Sequence, residues 1–171
     1  MDSRICDMLG IEFPLVAFTH CRDVVVEVSK AGGFGVLGAA SMSPEQLEVE
    51  LSWIDEHIDG MPYGVDLIVP NKFVGKGETP SPEELLAMLP PEHRKFADGI
   101  LAANGIEPGA PDQAFLRQRI SLSKNLALEG AKAHMDVAFS HPIKLIANAL
   151  GVPPREMLAR GRADGVAVAA L

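Results

Sequence analysis

Two histidines stand where an apolar run gives way to a loop. Thr19-His20-Cys21 follows the run at residues 12–18, and Ser140-His141 closes the run at residues 136–140. If both runs are strands of a parallel sheet, both histidines lie at the carboxyl-end mouth, where such folds bind ligands. Ser140 and His141 are therefore a candidate pocket pair and His20 a candidate ligand contact. The alternative is that each imidazole caps backbone groups at a strand end. Asp66 interrupts the apolar stretch Gly64-Val65-Asp66-Leu67-Ile68. A buried carboxylate is costly unless it is paired or used, so Asp66 reads as a polar ligand contact in preference to a structural hydrogen bond.

Other chemical groups carry less. Cys21 adjoins His20, but neighbours on one backbone rarely face each other, and a small buried thiol is the expected role. Gly33, Gly35 and Gly38 spell a dinucleotide-binding glycine pattern. That loop needs a strand before it and a helix after it, whereas here the helix precedes and a strand lies within the match. A tight helix-to-strand turn is the better reading. Lys72 and Lys76 are loop lysines that could reach an anionic ligand from the sheet mouth, although exposed loop lysines usually do nothing specific; His57 and His93 read as solvated, and His134 reads as a helix-end cap.

The elements that must position these groups alternate along the chain. After an opening turn around residues 5–9, strands are expected at 12–18, 34–38, 63–69, 136–140 and 166–171, with residues 143–150 ambiguous. Between the first two strands, Val24, Val25, Val28 and Ala31 keep helical spacing up to Gly32-Gly33, where glycine ends the helix. Ser43-Pro44-Glu45-Gln46 spells a capping box with proline at the first helical position. Leu47, Leu51, Ile54 and Ile58 follow on one face, and the acidic residues of this helix read as a solvated face. Residues 70–134 form a proline-punctuated insertion, with helices expected at 82–89, 92–104 and 112–133. A further helix runs from about residue 154 to 162. Doubly buried strands alternating with helices imply a parallel α/β sheet, either doubly wound or of the (β/α) barrel type.

Composition bounds the partners. The chain has 171 residues, with 15 basic against 23 acidic side chains and a net charge of −8. At 47% apolar and 22% charged residues it lies in the globular range. A pI near 5.1 argues against nucleic acid and against anionic membrane surfaces. Cys6 and Cys21 have no metal-type spacing, so no metal site is expected. No apolar run approaches the roughly 20 residues of a membrane span, and a cytoplasmic protein is expected.

The order of motifs adds a resemblance. Ile5-Cys6-Asp7-Met8-Leu9-Gly10-Ile11 leads to Phe13-Pro14; Val28-Ser29-Lys30-Ala31-Gly32-Gly33-Phe34-Gly35-Val36-Leu37-Gly38, Ser43-Pro44-Glu45-Gln46-Leu47 and Pro62-Tyr63-Gly64-Val65-Asp66-Leu67 follow. This resembles the N-terminal part of nitronate monooxygenases, formerly 2-nitropropane dioxygenases. The match covers most of residues 4–70 and resumes less specifically at 136–171. The resemblance implies an FMN-dependent TIM barrel, here about five of eight strands with a helical insertion after strand three. In such proteins alkyl nitronates are oxidised with O2 to a carbonyl compound and nitrite. By position, Phe18, Thr19 and His20 match the strand end that lies against the flavin, where many members have Ala-Pro-Met. Asp66 matches a flavin-contacting position usually held by Asn. The family's active-site histidine falls beyond Leu171, so no catalytic residue is assigned and this chain alone is expected to be inactive. An FMN enoyl-thioester reductase shares the barrel. A reading of a different class is a non-catalytic assembly module that completes its sheet with another chain, including as a homo-oligomer.

Overall fold

The computed structural model describes residues 3–70, 87–106, 125 and 128–171. Helix α1 (Arg4–Leu9) leads to β1 (Val16–Thr19), α2 (Arg22–Lys30), β2 (Phe34–Gly38), α3 (Pro44–His57) and β3 (Tyr63–Leu67). Then come α4 (Pro91–Ala103), α5 (Leu128–Ser140), β4 (Leu145–Asn148), α6 (Arg155–Asp164) and β5 (Ala167–Ala170). All five strands are parallel and lie in the order β1-β2-β3-β4-β5.

That order decides between the two closures left open by periodicity. A doubly wound sheet reverses its winding at a switch point, which breaks sequential order. Here each right-handed crossover steps the same way, so the crossover helices α2, α3, α5 and α6 lie on one face and the other face is left concave, as in a TIM-type barrel. Among the described residues no helix is long and apolar enough to cross a membrane.

The two faces carry separate cores. On the helix side Leu37, Tyr63, Val65, Leu67 and Ile146 pack with Val25, Leu47, Leu51, Ile54, Met135 and Met157. Burying one such side chain contributes about 1.5–3 kcal/mol. The predicted capping box forms, with Ser43 Oγ accepting from Gln46 N and Gln46 Oε1 accepting from Ser43 N. Its helix turns Leu47, Leu51 and Ile54 onto the sheet as the spacing predicts. On the concave side Phe34 and Val36 pack against Cys6, Leu9 and Ile11, so α1 closes the amino end of that face.

Several boundaries differ from the sequence reading. The first strand is shorter than the run at 12–18, because Glu12 and Phe13 donate instead to the Gly32 carbonyl and Pro14 has no N–H to offer. Gly32 sits at φ +91°, a left-handed value suited to glycine, where α2 turns into β2. The expected fourth strand at residues 136–140 is instead the end of α5. Ala131, His134, Met135 and Ala138 are its buried positions, a helical period that runs straight through the short apolar stretch. Pro142 disfavours helix at the residue before it, and the strand forms from the ambiguous segment, at Leu145–Asn148. In the insertion, the helix expected at 92–104 is α4. Most of the helix expected at 82–89, the first part of that at 112–133, and Lys72 and Lys76 lie outside the described residues.

Candidate functional site

Strand register brings a single layer of residues to the carboxyl end of the concave face. Gly38 pairs with Asp66, Asp66 with Ala147, and Ala147 with Ala169. In a parallel ladder such partners project to the same side, so one carboxyl group stands among side chains no larger than methyl. His20, one residue past the Thr19–Leu37 pair, extends the layer, with its Nδ1 2.8 Å from the Gly38 carbonyl oxygen. A carbonyl only accepts, so Nδ1 carries the proton and donates, and Nε2 is the atom with bonding capacity to offer.

Asp66 is 5% exposed, and its Oδ1 has no hydrogen-bond partner. Burial pushes its carboxyl from 3.8 up to about 6, partly opposed by the nearby His20. A structural hydrogen bond was the bland explanation for a buried aspartate, and for Oδ1 none is made. Beside it, Phe18 is 56% exposed on the same concave face and meets the His20 ring edge-on, with centroids 5.1 Å apart. Gly38 lies beneath both rings: a Cβ there would overlap Phe18 and come within 2.8 Å of His20 Cε1. The sheet therefore presents an aromatic edge, an imidazole, a buried carboxyl and a shelf of small residues together. Such a set can cradle a planar polar ring.

Thr19 does not join them on that face. It pairs with Leu37 of the helix-side core, and its Oγ1 accepts from Cys21 N at 3.1 Å. Ser140 and His141 are not at this mouth either. Their expected place rested on a strand ending at residue 140; with the strand at Leu145–Asn148, His141 precedes β4 and lies at the opposite, amino end of the sheet. There its Nδ1 is 2.6 Å from Asp55 and its Nε2 3.3 Å from Glu48. Tyr63 Oη also donates to Asp55, at 2.6 Å, and burial with that carboxylate holds the phenol above its usual range. Ser140 Oγ donates to the Val137 carbonyl. The acidic side of α3 is thus partly a built network, not only a solvated face.

Two further expectations change. Cys21 is exposed, because it precedes the first turn of α2 and does not point into a core. His134 is no helix-end cap: it is 1% exposed in α5, and its Nε2 donates to the Met42 carbonyl at 2.8 Å. Its desolvation lowers the imidazole pKa.

Sequence reasoning missed Asn148, which is fully buried at the end of β4. Its Oδ1 accepts from Val69 N at 2.9 Å and its Nδ2 donates to Val69 O at 3.1 Å. Nδ2 also reaches the carbonyls of Gly151 and Val152. This clamp fixes the chain as it leaves β3, three residues beyond Asp66. The signal was a lone amide closing the apolar Leu145-Ile146-Ala147, in a segment whose class periodicity left open.

No protein-family model matches the chain. Over its whole length it is 46% identical to a Mycobacterium tuberculosis protein named as a monooxygenase, of which it covers 45%. Over 56% of its length it is 32% identical to a Staphylococcus saprophyticus protein named as a nitronate monooxygenase, covering 27% of it. Its fold superposes on the solved nitroalkane oxidase of Streptomyces ansochromogenes with a TM-score of 0.60 at 21% identity. That match covers 98% of this chain and 42% of the other. The chain thus spans less than half the length of these relatives and corresponds to their N-terminal part.

Proposed function

We propose that this chain, similar to the N-terminal part of nitronate monooxygenase-like oxidoreductases, supplies one wall of an FMN site. In the whole protein that site oxidises alkyl nitronates with O2 to a carbonyl compound and nitrite. The observation that carries this reading is the layer at the carboxyl ends of the strands: a buried carboxyl oxygen with no partner, set among Gly38, Ala147 and Ala169.

The residues present fit a flavin. The small side chains leave room for a flat ring above the sheet, and the orphaned Oδ1 of Asp66 offers it a hydrogen bond. Phe18 offers an aromatic contact at the ring edge, and His20, locked by Gly38, offers Nε2. Thr19 contributes through its backbone. When bound, FMN supplies the redox chemistry, accepting electrons from the substrate and passing them to oxygen. The protein's own part is orientation: the His20–Gly38 bond fixes one side chain, and the Asn148 clamp fixes the exit of the strand that carries Asp66.

The test is FMN titration followed by oxygen uptake on propane-2-nitronate, using the whole protein to which this chain corresponds. Bound-flavin absorbance with nitronate-dependent uptake supports the reading; the absence of both overturns it. Nicotinamide oxidation without nitronate turnover would replace it with an enoyl-thioester reductase activity.

A second reading, assembly with another chain, is favoured by the exposed Phe13, Leu15, Val16 and Phe18 along the β1 edge of the sheet. Light scattering of this chain as a well-behaved monomer at high concentration would count against it.

A further inference from the structure

We infer that Asp66 meets its ligand as a neutral carboxylic acid, donating a hydrogen bond to an acceptor atom of a planar heteroaromatic ring, and that its ionisation loosens that ring. The inference rests on the flavin reading and adds which protonation state binds and how pH controls the site.

What surrounds the carboxyl decides which form it takes. An ionised carboxylate only accepts, and when buried it needs donors on both oxygens. The neighbouring strands provide no side-chain donor, since β2 presents Gly38 and β4 presents Ala147. Among the described residues the titratable group facing Asp66 is His20, from the end of β1. The Nδ1 proton of His20 is already committed to the Gly38 carbonyl. Oδ1 therefore stays unpartnered inside the protein. A neutral acid suits this place better, because it carries one O–H donor of its own and takes that donor to whatever ring sits above the shelf. Burial raises the carboxyl to about 6, which keeps the acid form populated in mildly acidic solution. The ligand class that satisfies it is a flat ring with an exposed acceptor, a carbonyl oxygen or an imine-type nitrogen. Loss of the proton removes the donor and sets a charge against that acceptor.

Riboflavin is the suitable probe, because the phosphate of FMN itself titrates near pH 6. Its affinity for the whole protein to which this chain corresponds is measured by fluorescence at about pH 5 and about pH 7.5, in the wild type and in Asp66→Asn. The wild type should bind about thirtyfold more weakly at the higher pH, as expected when most of the acid form is lost. The asparagine variant, whose amide donates at both values, should vary by less than about twofold. A flat wild type, or a variant keeping the wild-type slope, overturns the inference and leaves the flavin site standing. No binding by either protein at either pH removes both. In the wild type alone, riboflavin should raise the midpoint of the Asp66 carboxyl 13C titration; a lowered midpoint would mean that the carboxylate is the bound form, and overturns it as well.

Discussion

Replacing Asp66 by asparagine should stabilise the ligand-free chain at neutral pH and do nothing in acid. The folded carboxyl is raised from 3.8 to about 6. At 1.36 kcal/mol per unit that shift corresponds to about 3 kcal/mol. The sign follows from proton binding. Below pH 4 the group is neutral in both states and costs nothing. Between about 4 and 6 the unfolded chain releases its proton while the folded chain retains it, so stability falls as pH rises and stays lower above 6. Asparagine does not ionise, and like the neutral acid it leaves a polar group short of partners, so the variant should match the wild type near pH 4. Their difference should then grow to about 3 kcal/mol in favour of asparagine by pH 7. The assay is urea unfolding across that range, followed by the fluorescence of Trp53, the single tryptophan, which packs against the helix-side core. Two stability curves that stay parallel from pH 4 to pH 7 would refute the claim that Asp66 is buried without compensation.

Other consequences are read from the same structure. Gly35→Ala should destabilise by about 2–4 kcal/mol or prevent folding, because its Cβ would lie 2.5 Å from the Val25 carbonyl oxygen of α2. Gly99→Ala, with nothing within 4 Å and a place inside α4, should instead gain about 0.5–1 kcal/mol; both are measured by urea unfolding. Asn148→Ala should cost about 2–3 kcal/mol, since it leaves both the N–H and the carbonyl of Val69 without their partner, and an unchanged unfolding midpoint would contradict the clamp. His134 is held neutral by burial, so its folded pKa lies below 6.5. Stability should therefore fall as pH drops below 6.5, the reverse of the Asp66 effect, and the His134 ring protons should titrate below that value in NMR.

What was legible in the sequence follows the strength of its local signals. The capping box at Ser43 with its leucine-isoleucine stripe sets α3 almost alone, since cap and period agree. The run at residues 34–38 is a strand between a glycine stop and a helix start, and it needed no tertiary information. The segment at residues 136–150 failed for a physical reason. Val137, Ala138 and Phe139 make an apolar run too short to show its period, whereas the true strand is four residues ended by an amide. That one displaced strand moved Ser140 and His141 from the mouth of the sheet to its far end. Asp66 was legible because a lone carboxylate in a doubly buried strand has few innocent explanations. Its setting was not: which residues flank it depends on register with Gly38 and Ala147, and register between distant strands is written in packing and not in any local pattern. The same holds for His20, whose bond to Gly38 crosses 18 positions.

The central claim is that the concave layer at the carboxyl ends of the strands is a flavin-binding wall. Backbone NMR of the whole protein to which this chain corresponds, followed during FMN titration, tests it most directly. Saturable shifts centred on Phe18, His20, Gly38, Asp66 and Ala147 are the predicted result. Shifts confined to the amino end around His141 and Asp55, or none at millimolar FMN, would contradict it.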